Sequence, residues 1–393
     1  MPWSEMTPLS QRLEFAETAA RGLYTMTELC ARYGVSRRVG YKWLARYAAD
    51  GVVGLADRSR RPRGSPAAVA DETAARLLAC RQAHPTWGAR KLLAYLGRRH
   101  PRVAWPAAST VGELLKRHGL TRPPRRRPAP GHPGRPTTPM DAPNAVWTAD
   151  FKGQFRTGDG AYCHPLTVCD GYSRYLLACR GLPSVETRGA RPVFERLFRE
   201  YGLPARLRSD NGVPFATSAL GRLSALSAWW IKLGITPELI EPSSPQQNGR
   251  HERMHRALKA EATRPSASGA RAQQRRFDAF RAEYNAERPH EALGNDTPAD
   301  HYAPSPRAYP ARLAHPEYPG HFEVRYVSRN GGVRWHNQWV NVSHVLAEEY
   351  VGLEEVDDGV WPVYFGPVLL GRFDERDLRI HGAHNRHELP RHH

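Results

Sequence analysis

Three acidic residues near the middle of the chain have the types and settings that a metal-dependent reaction needs. Asp150 lies in a predicted strand over 144–152, Asp210 follows a second predicted strand over 205–209, and Glu252 lies on a predicted helix. Carboxylate oxygens are the ligands that Mg²⁺ prefers in proteins. Two such ions activate an oxygen nucleophile and stabilise the leaving oxygen when a phosphodiester is cleaved. The three carboxylates therefore predict a two-Mg²⁺ site that acts on nucleic-acid phosphates.

The helix that carries Glu252 also carries two cations on the same face. Glu252, Arg256 and Lys259 are spaced i, i+4 and i+7, so their side chains project from one side. Arg256 and Lys259 are therefore expected to contact DNA phosphates beside the metals. A surface helix with an ordinary ion pair has the same pattern, and the two aspartates favour the site. Asp170, in a glycine-containing turn, is expected to shape a hairpin instead of binding metal.

The net charge of +18 is concentrated in the first third of the chain. Residues 1–142 carry 25 lysines and arginines against 10 acidic residues, a net +15, whereas residues 301–393 carry 10 against 12, a net −2. This distribution predicts that the N-terminal part binds a polyanion such as DNA. A solubilising basic surface is the alternative, and it is weaker because the basic residues fall on predicted recognition elements.

The composition argues against several other classes of protein. Five cysteines, odd in number and unevenly spread, are typical of reduced thiols and not of a disulfide scaffold. No run of about 18 apolar residues predicts a membrane span, and the N-terminus lacks the pattern of a signal peptide. A cytoplasmic location in a bacterium, with no membrane partner and in association with the nucleoid, is therefore expected.

Residues 1–60 predict a helix-turn-helix DNA-binding domain. Thr25 and Glu28 have the spacing of a capping box, and Ser36 can cap a following helix after the turn at Gly34. A basic second helix is what a recognition helix in the major groove requires. An ordinary helical hairpin with a basic face is the alternative. The candidate DNA-contacting residues on this helix are Arg37, Arg38, Tyr41 and Lys42.

A second helical, helix-turn-helix-like DNA-binding domain is predicted over 61–120. Leucines at helical spacing give each of its three helices an apolar side. Trp87 is expected in its core, and Arg90 and Lys91 are the exposed candidates for DNA contact. Residues 121–142, rich in proline and arginine, predict an extended linker.

The remaining residues predict two further domains, so the whole is expected to be a multidomain α+β protein. Over 143–305, three strands precede alternating helices and strands, which favours one mixed sheet with helices packed on it. Over 318–380, short segments alternate in the manner of strands and predict a small β-barrel.

The acidic segments resemble a known family when they are taken together. Trp147-Thr-Ala-Asp150, Ser209-Asp-Asn-Gly212 and Pro245-Gln-Gln-Asn-Gly-Arg-His-Glu252 resemble the catalytic core of integrase-type DDE transposases of bacterial insertion sequences, which are related to retroviral integrases. The segment from Tyr284 to Gly294, followed by Thr297-Pro298, resembles the end of that core. The zinc-binding module of retroviral integrases is missing, and helix-turn-helix units stand in its place.

The resemblance implies a ribonuclease H-like catalytic core, with Asp150, Asp210 and Glu252 as the catalytic residues and as ligands of Mg²⁺ or Mn²⁺. It implies a transposase that binds the terminal inverted repeats of its element, cleaves there and joins the 3′ hydroxyls to target DNA. Its partners would be double-stranded DNA, at both element ends and target, and further copies of itself. A DNA-binding regulator with an inactive core and a plain metal-dependent nuclease remain as alternatives.

Overall fold

The computed structural model describes residues 7–59, 69–121, 138–241, 247 and 249–382, in two compact units, Met1–Val69 and Ala70–His393. The predicted linker lies mostly outside the described residues, as does part of the segment before Glu252. No helix among the described residues is long and apolar enough to cross a membrane. All five cysteines are buried free thiols.

The first unit is a short helical bundle whose helix starts are set by side-chain caps. Its elements are α1 (Pro8–Ala20), α2 (Met26–Arg32), α3 (Arg37–Asp50) and a 3₁₀ helix at Gly51–Leu55. The capping box of Thr25 and Glu28 begins α2, and the Ser36 side chain accepts a hydrogen bond from the backbone of Val39 at the start of α3. Both predicted helix starts are therefore confirmed.

Gly40 allows α3 to pack closely on the other helices of this unit. A Cβ atom at Gly40 would lie 2.6 Å from the Cys30 sulfur and 3.0 Å from the Phe15 ring. These two residues and Leu29 form the buried core. Because this side of α3 packs on the core, the opposite side of the helix faces solvent.

The second unit begins with a three-helix layer. Its helices are α4 (Asp71–Ala83), α5 (Ala89–Arg99) and α6 (Ala108–Arg117). Trp87 is fully buried in their shared core, as predicted. The side chains of Arg98 and Arg99 on α5 bind carboxylates of residues 287–300, which follow the central sheet. This layer is therefore part of the same compact unit as the sheet.

The central sheet is mixed, and its middle strands bring the chain's acidic segments together. Its strands are β1 (Val146–Phe151), β2 (Phe155–Arg156), β3 (Tyr162–Asp170), β4 (Leu176–Leu182), β5 (Arg206–Ser209) and β6 (Thr236–Leu239). The spatial order is β4-β3-β1-β5-β6, and the short β2 also pairs with β3. The pairs β4–β3 and β3–β1 are antiparallel, whereas β1–β5 and β5–β6 are parallel.

Helices cover both faces of this sheet. The helices of this part are α7 (Thr187–Tyr201), α8 (Ala225–Lys232), α9 (Gly249–Ala262) and α10 (Ala270–Ala286). One face packs on α7 and α8 through Phe194 and Trp230, and the other packs on α9 and α10 through Leu258 and Phe277. The side chain of Ser224 caps the start of α8 in a capping box with Ser227.

The C-terminal part is all β, but it is not the predicted barrel. Its strands are β7 (Glu323–Tyr326), β8 (Gly332–Trp335), β9 (Gln338–Asn341), β10 (Tyr350–Leu353), β11 (Val360–Phe365), β12 (Val368–Asp374) and β13 (Arg379–Gly382). Five form an open antiparallel sheet in the order β13-β12-β11-β10-β7, and β8 and β9 form a separate hairpin. No pairing between described strands closes the sheet. Its apolar face is instead covered by the β8–β9 hairpin and by Ala228 and Ile231 of α8, so closure is not needed to bury it.

Candidate metal centre

The parallel pairing of β1 with β5 places Asp150 and Asp210 side by side. Ala149 is the register partner of Ser209, and each predicted aspartate is the next residue of its chain segment. Both side chains are half-buried at the same edge of the sheet. Burial raises the pKa of Asp210, while the backbone N–H of Gly212 donates to its carboxylate at 3.2 Å and opposes that rise.

Glu252 lies in the first turn of α9 and is exposed. Burial, then the charge of Asp210 and, least of all, the charge of Glu252 raise the pKa of Asp150 to about 7, while a backbone hydrogen bond from Phe151 and the charge of Lys152 oppose the rise. Asp150 is therefore within electrostatic range of both Asp210 and Glu252. Like charges that share a half-buried site destabilise each other unless a cation lies between them. The donor set is all oxygen and suits Mg²⁺ or Mn²⁺.

Two histidines that were not among the predicted site residues lie close to Asp150. His251 and His255 are buried on α9, at i and i+4 on either side of Glu252. Burial lowers the pKa of His251 to about 3; for His255, burial and then the nearby His251 lower it to about 2, so both rings are neutral. Their i, i+4 spacing on the predicted helix was the available sequence signal.

The two rings share the hydroxyl group of Thr167 on β3. The Thr167 hydroxyl donates to the backbone oxygen of Asp150 at 3.0 Å and lies 2.6 Å from His251 Nε2 and 2.7 Å from His255 Nε2. Since one hydroxyl has one proton, its oxygen accepts from both imidazoles. The other nitrogen of His251 lies 2.8 Å from the Thr148 hydroxyl. This network ties α9, and with it Glu252, to β1 and β3.

Asp150, His251 and His255 also offer ligand atoms within 4.8 Å of one another. Both nitrogens of His251 are occupied by threonine hydroxyls, so His251 has no lone pair for a metal ion. Nδ1 of His255 lies 3.7 Å from the Asp150 carboxylate. With Nε2 donating to Thr167, the Nδ1 lone pair of His255 faces a carboxylate oxygen, which favours a cation or a proton between them.

Asp170 has the structural role that its turn indicated. Its carboxylate accepts hydrogen bonds from the backbone and hydroxyl groups of Ser173 at 2.8 and 2.6 Å, and from the backbone of Asn144 at 2.8 Å. It is fully buried. Its oxygens are therefore used within the hairpin.

The predicted phosphate-contacting residues of α9 are exposed. Arg256 and Lys259 face solvent, while Met254 and Leu258 are buried against the sheet, as expected from their spacing. Arg256 lines a cavity of about 550 Å³ together with residues of the three-helix layer. No described residue accepts a hydrogen bond from the side chain of Arg256 or Lys259.

The remaining candidate DNA contacts differ in their surroundings. Arg90 is exposed as predicted, but its guanidinium forms an ion pair with Glu291 at 2.6 Å. The prediction that Lys91 is exposed is wrong, because packing of α5 on the core half-buries it in a cavity. The candidates on α3 are all exposed, namely Arg37, Arg38, Tyr41 and Lys42.

Comparison with family models assigns two kinds of domain to these segments. Two models, each described as an integrase core domain, match residues 140–245 and 233–298. A homeodomain-like model matches residues 39–115, and a helix-turn-helix model matches residues 11–63. The integrase matches contain all three carboxylates.

The relatives of the chain include insertion-element proteins. It is 26% identical over 293 residues to a 39.2 kDa protein of insertion element IS476 from Xanthomonas euvesicatoria, covering 74% of this chain and 82% of that protein. It is 29% identical over 164 residues to a 31.7 kDa protein of IS407 from Burkholderia multivorans, covering 40% and 55%. It thus spans about half the length of the IS407 relative. The Gag-Pol polyprotein of feline leukemia virus is 30% identical over 122 residues, covering 31% and 7%.

Solved structures with some likeness are retroviral integrases. The HTLV-2 integrase catalytic core domain in complex with magnesium is 13% identical, with 41% of this chain and 97% of that chain covered and a TM-score of 0.33. A simian T-cell lymphotropic virus intasome in complex with a PP2A regulatory subunit is 14% identical, with 70% and 97% covered and a TM-score of 0.36. From the sequence matches, the chain carries helix-turn-helix domains followed by an integrase core, and it is a relative of bacterial insertion-element proteins.

Proposed function

We propose that the chain is a transposase that binds the ends of its own mobile element, cleaves there and joins the 3′ hydroxyls to target DNA. The observation that carries this proposal is that Asp150 and Asp210 lie side by side at the ends of paired strands, and that the charges of Asp210 and Glu252 both act on Asp150. The strand order β4-β3-β1-β5-β6 supports a ribonuclease H-like core beneath them. The helix-turn-helix domains support binding to double-stranded DNA.

In this proposal, Asp150 and Asp210 would hold two divalent ions, and Glu252 would complete the site from α9. Such ions polarise the scissile phosphate and lower the pKa of the attacking oxygen. In the first step a water oxygen bonds to phosphorus, the P–O3′ bond breaks, and the 3′ oxygen takes up a proton. In the second step the oxygen of that 3′ hydroxyl bonds to the phosphorus of a target phosphodiester, and the target's own 3′ oxygen is displaced. One phosphodiester bond forms for each one that breaks, so the step needs no external source of energy.

Recognition of the element is assigned to parts of the chain away from this centre. The exposed α3 presents guanidinium, phenol and ammonium groups suited to the major groove and to phosphates. Arg256 and Lys259 contact phosphates nearer the metals. Because two ends must be joined at one target, the active species is a multimer on DNA.

Asp210→Asn tests the proposal directly. The variant keeps the shape of the side chain but loses the charge that binds metal, so end cleavage and strand transfer should fall by roughly a thousandfold or more. Binding to the ends should stay unchanged. The assay uses Mg²⁺ or Mn²⁺ and a labelled duplex copied from the DNA that flanks the coding region.

Asp278→Asn is the matched control, because Asp278 is an exposed aspartate on α10 whose only described contact is with Gln274. It should cleave like the unmodified protein. If Asp210→Asn still joins DNA ends, the catalytic assignment is wrong. End binding without any cleavage by the unmodified protein would instead support a regulator with an inactive core, and cleavage without joining would support a plain nuclease.

A further inference from the structure

A second, strongly basic cavity shares helix α9 with the metal centre. It has a volume of about 170 Å³ and is bounded by α5, by α9 and α10, and by the turn between β3 and β4. Five of its lining side chains are cationic and one, Glu291, is acidic. We call it the basic cleft; its cations are Lys91, Arg174, Arg250, Arg253 and Arg288.

Some of these charges are already compensated within the protein. Arg288 donates to both carboxylate oxygens of Glu261 at 2.8 Å. Arg250 donates to the backbone oxygen of Gly171 at 2.7 Å. The acidic Glu291 is itself paired with Arg90. No carboxylate in the described part of the chain forms an ion pair with the remaining cations of the cleft, although Glu261 and Glu291 act on Lys91 at longer range.

Lys91, Arg174 and Arg253 have no hydrogen-bond acceptor for their side chains within the described part of the chain. The Nε atom of Arg174 is fully buried, and so is the Nε2 atom of His290, which lines the same cleft. A buried polar group without a partner is destabilising, and more so when it is charged.

The cleft is also electrostatically strained. Burial and then the charge of Arg288 lower the pKa of Lys91 to about 8. Burial and then the charge of Arg250 lower the pKa of Arg174 to about 10. Arg174 has a φ of 66°, in the left-handed region that favours glycine. An anion in the cleft relieves the repulsion and supplies the missing acceptors.

We infer that the basic cleft binds a phosphate of the DNA backbone and so fixes the strand that enters the metal centre. Guanidinium groups match phosphate oxygens in pairs, and several of them around one small cavity select a tetrahedral anion over a carboxylate. Arg253 follows Glu252 directly on α9, so the cleft and the metal centre share one rigid helix. This inference rests on the proposed function for the identity of the ligand as DNA.

Charge-removing variants of the full chain test the cleft. Lys91→Gln and Arg174→Gln are compared with the unmodified protein by anisotropy on a labelled duplex of about 30 base pairs and arbitrary sequence, in EDTA, from about 50 to 200 mM KCl. Each variant should bind roughly tenfold more weakly, and the slope of log Kd against log salt should fall by about one. Unchanged affinity and slope overturn the inference.

Two controls separate this result from a general loss of charge or fold. Arg196→Gln removes an exposed cation from α7, on the opposite face of the sheet, and should leave the salt slope unchanged. Arg174→Lys keeps the charge and should restore most of the slope. Because the cleft cations repel one another, the Gln variants should melt at the same temperature as the unmodified protein or higher.

Two further measurements serve as additional tests. The first distinguishes a DNA phosphate from free phosphate as the bound anion, and the second distinguishes failure of the proposed catalytic function from failure of this inference. If millimolar inorganic phosphate raises the melting temperature of the unmodified protein while the variants bind DNA normally, the cleft is a site for free phosphate and the inference fails. If Mg²⁺ neither stabilises the protein nor supports cleavage, yet the variants lose DNA affinity, the proposed catalytic function fails while the cleft stands.

Discussion

The carboxylate of Asp150 is held in surroundings that favour its protonated form. Its folded pKa of about 7 lies above its ordinary value of 3.8, so the folded protein binds this proton more tightly than the unfolded chain does. Without metal, the free energy of unfolding therefore falls as the pH rises from about 4 to about 7. Above that range the full penalty is present, and a bound cation removes it.

Asp150→Asn should stabilise the metal-free protein above about pH 7. One pKa unit corresponds to about 1.4 kcal/mol, so the gain is on the order of 2 to 4 kcal/mol. Urea unfolding in EDTA at about pH 5 and about pH 8 measures it, and the gain should be larger at the higher pH. With saturating Mg²⁺ the order should reverse, since only the unmodified protein binds the ions fully. A variant that is destabilised at the higher pH in EDTA contradicts this account of the site.

The position of α9 depends on polar contacts that cross from the helix to the sheet. Thr167 serves both histidines, and a valine there has nearly the same shape but no hydroxyl. The Nε2–H groups of His251 and His255 would then lack their acceptor, at a cost of about 1–3 kcal/mol each. The helix would keep its apolar contacts while losing the contacts that fix Glu252 relative to Asp150.

Thr167→Val should therefore lower the melting temperature and raise the Mg²⁺ concentration needed for half-maximal cleavage severalfold. End binding through α3 should be unaffected. Thr263→Val is the matched control: Thr263 is also buried, but among the described residues its hydroxyl bonds only to the backbone oxygen of Lys259, on its own helix turn. An equal Mg²⁺ requirement in both variants would show that the network stabilises the fold without positioning the site.

Helix starts and strand positions could be predicted where residues a few positions apart determine them. The capping residues Thr25 and Ser36 begin their helices as predicted, and β1 and β5 lie within the strands predicted over 144–152 and 205–209. Local patterns of this kind are visible in a single sequence because each depends on neighbours within a few residues.

Features that depend on packing between distant segments were not predictable in the same way. The burial of Lys91 arises because α5 packs on residues that follow it by about two hundred positions in sequence. The prediction of a barrel was wrong because the β8–β9 hairpin and α8 cover the apolar face of the C-terminal sheet, so the sheet need not close on itself. The roles of His251 and His255 required the register of β1 against β3, which places Thr167 opposite Asp150.

At the scale of the whole molecule, the chain divides into a small helical unit with its own core and a larger unit that contains the sheet, the carboxylates and the basic cleft. The exposed recognition candidates of α3 lie in the first unit. The carboxylates proposed to bind metal ions and the cations proposed to bind DNA phosphates without sequence preference lie in the second unit. Under the proposed function, selection of the element end and reaction at it are therefore assigned to different units.

A fragment of residues 70–393 should therefore keep its fold and its stabilisation by Mg²⁺ but lose discrimination between DNA sequences. Its melting temperature should rise with Mg²⁺ as in the full chain, because every metal-centre residue is present. In competition between a duplex from the element end and one of arbitrary sequence, the full chain should prefer the end, and the fragment's preference should be at least roughly tenfold weaker. Non-specific binding at low salt should persist, since the basic cleft is retained. If the fragment selects the element end as well as the full chain does, recognition lies in residues 70–121 or in the core itself, and the assignment to α3 is wrong.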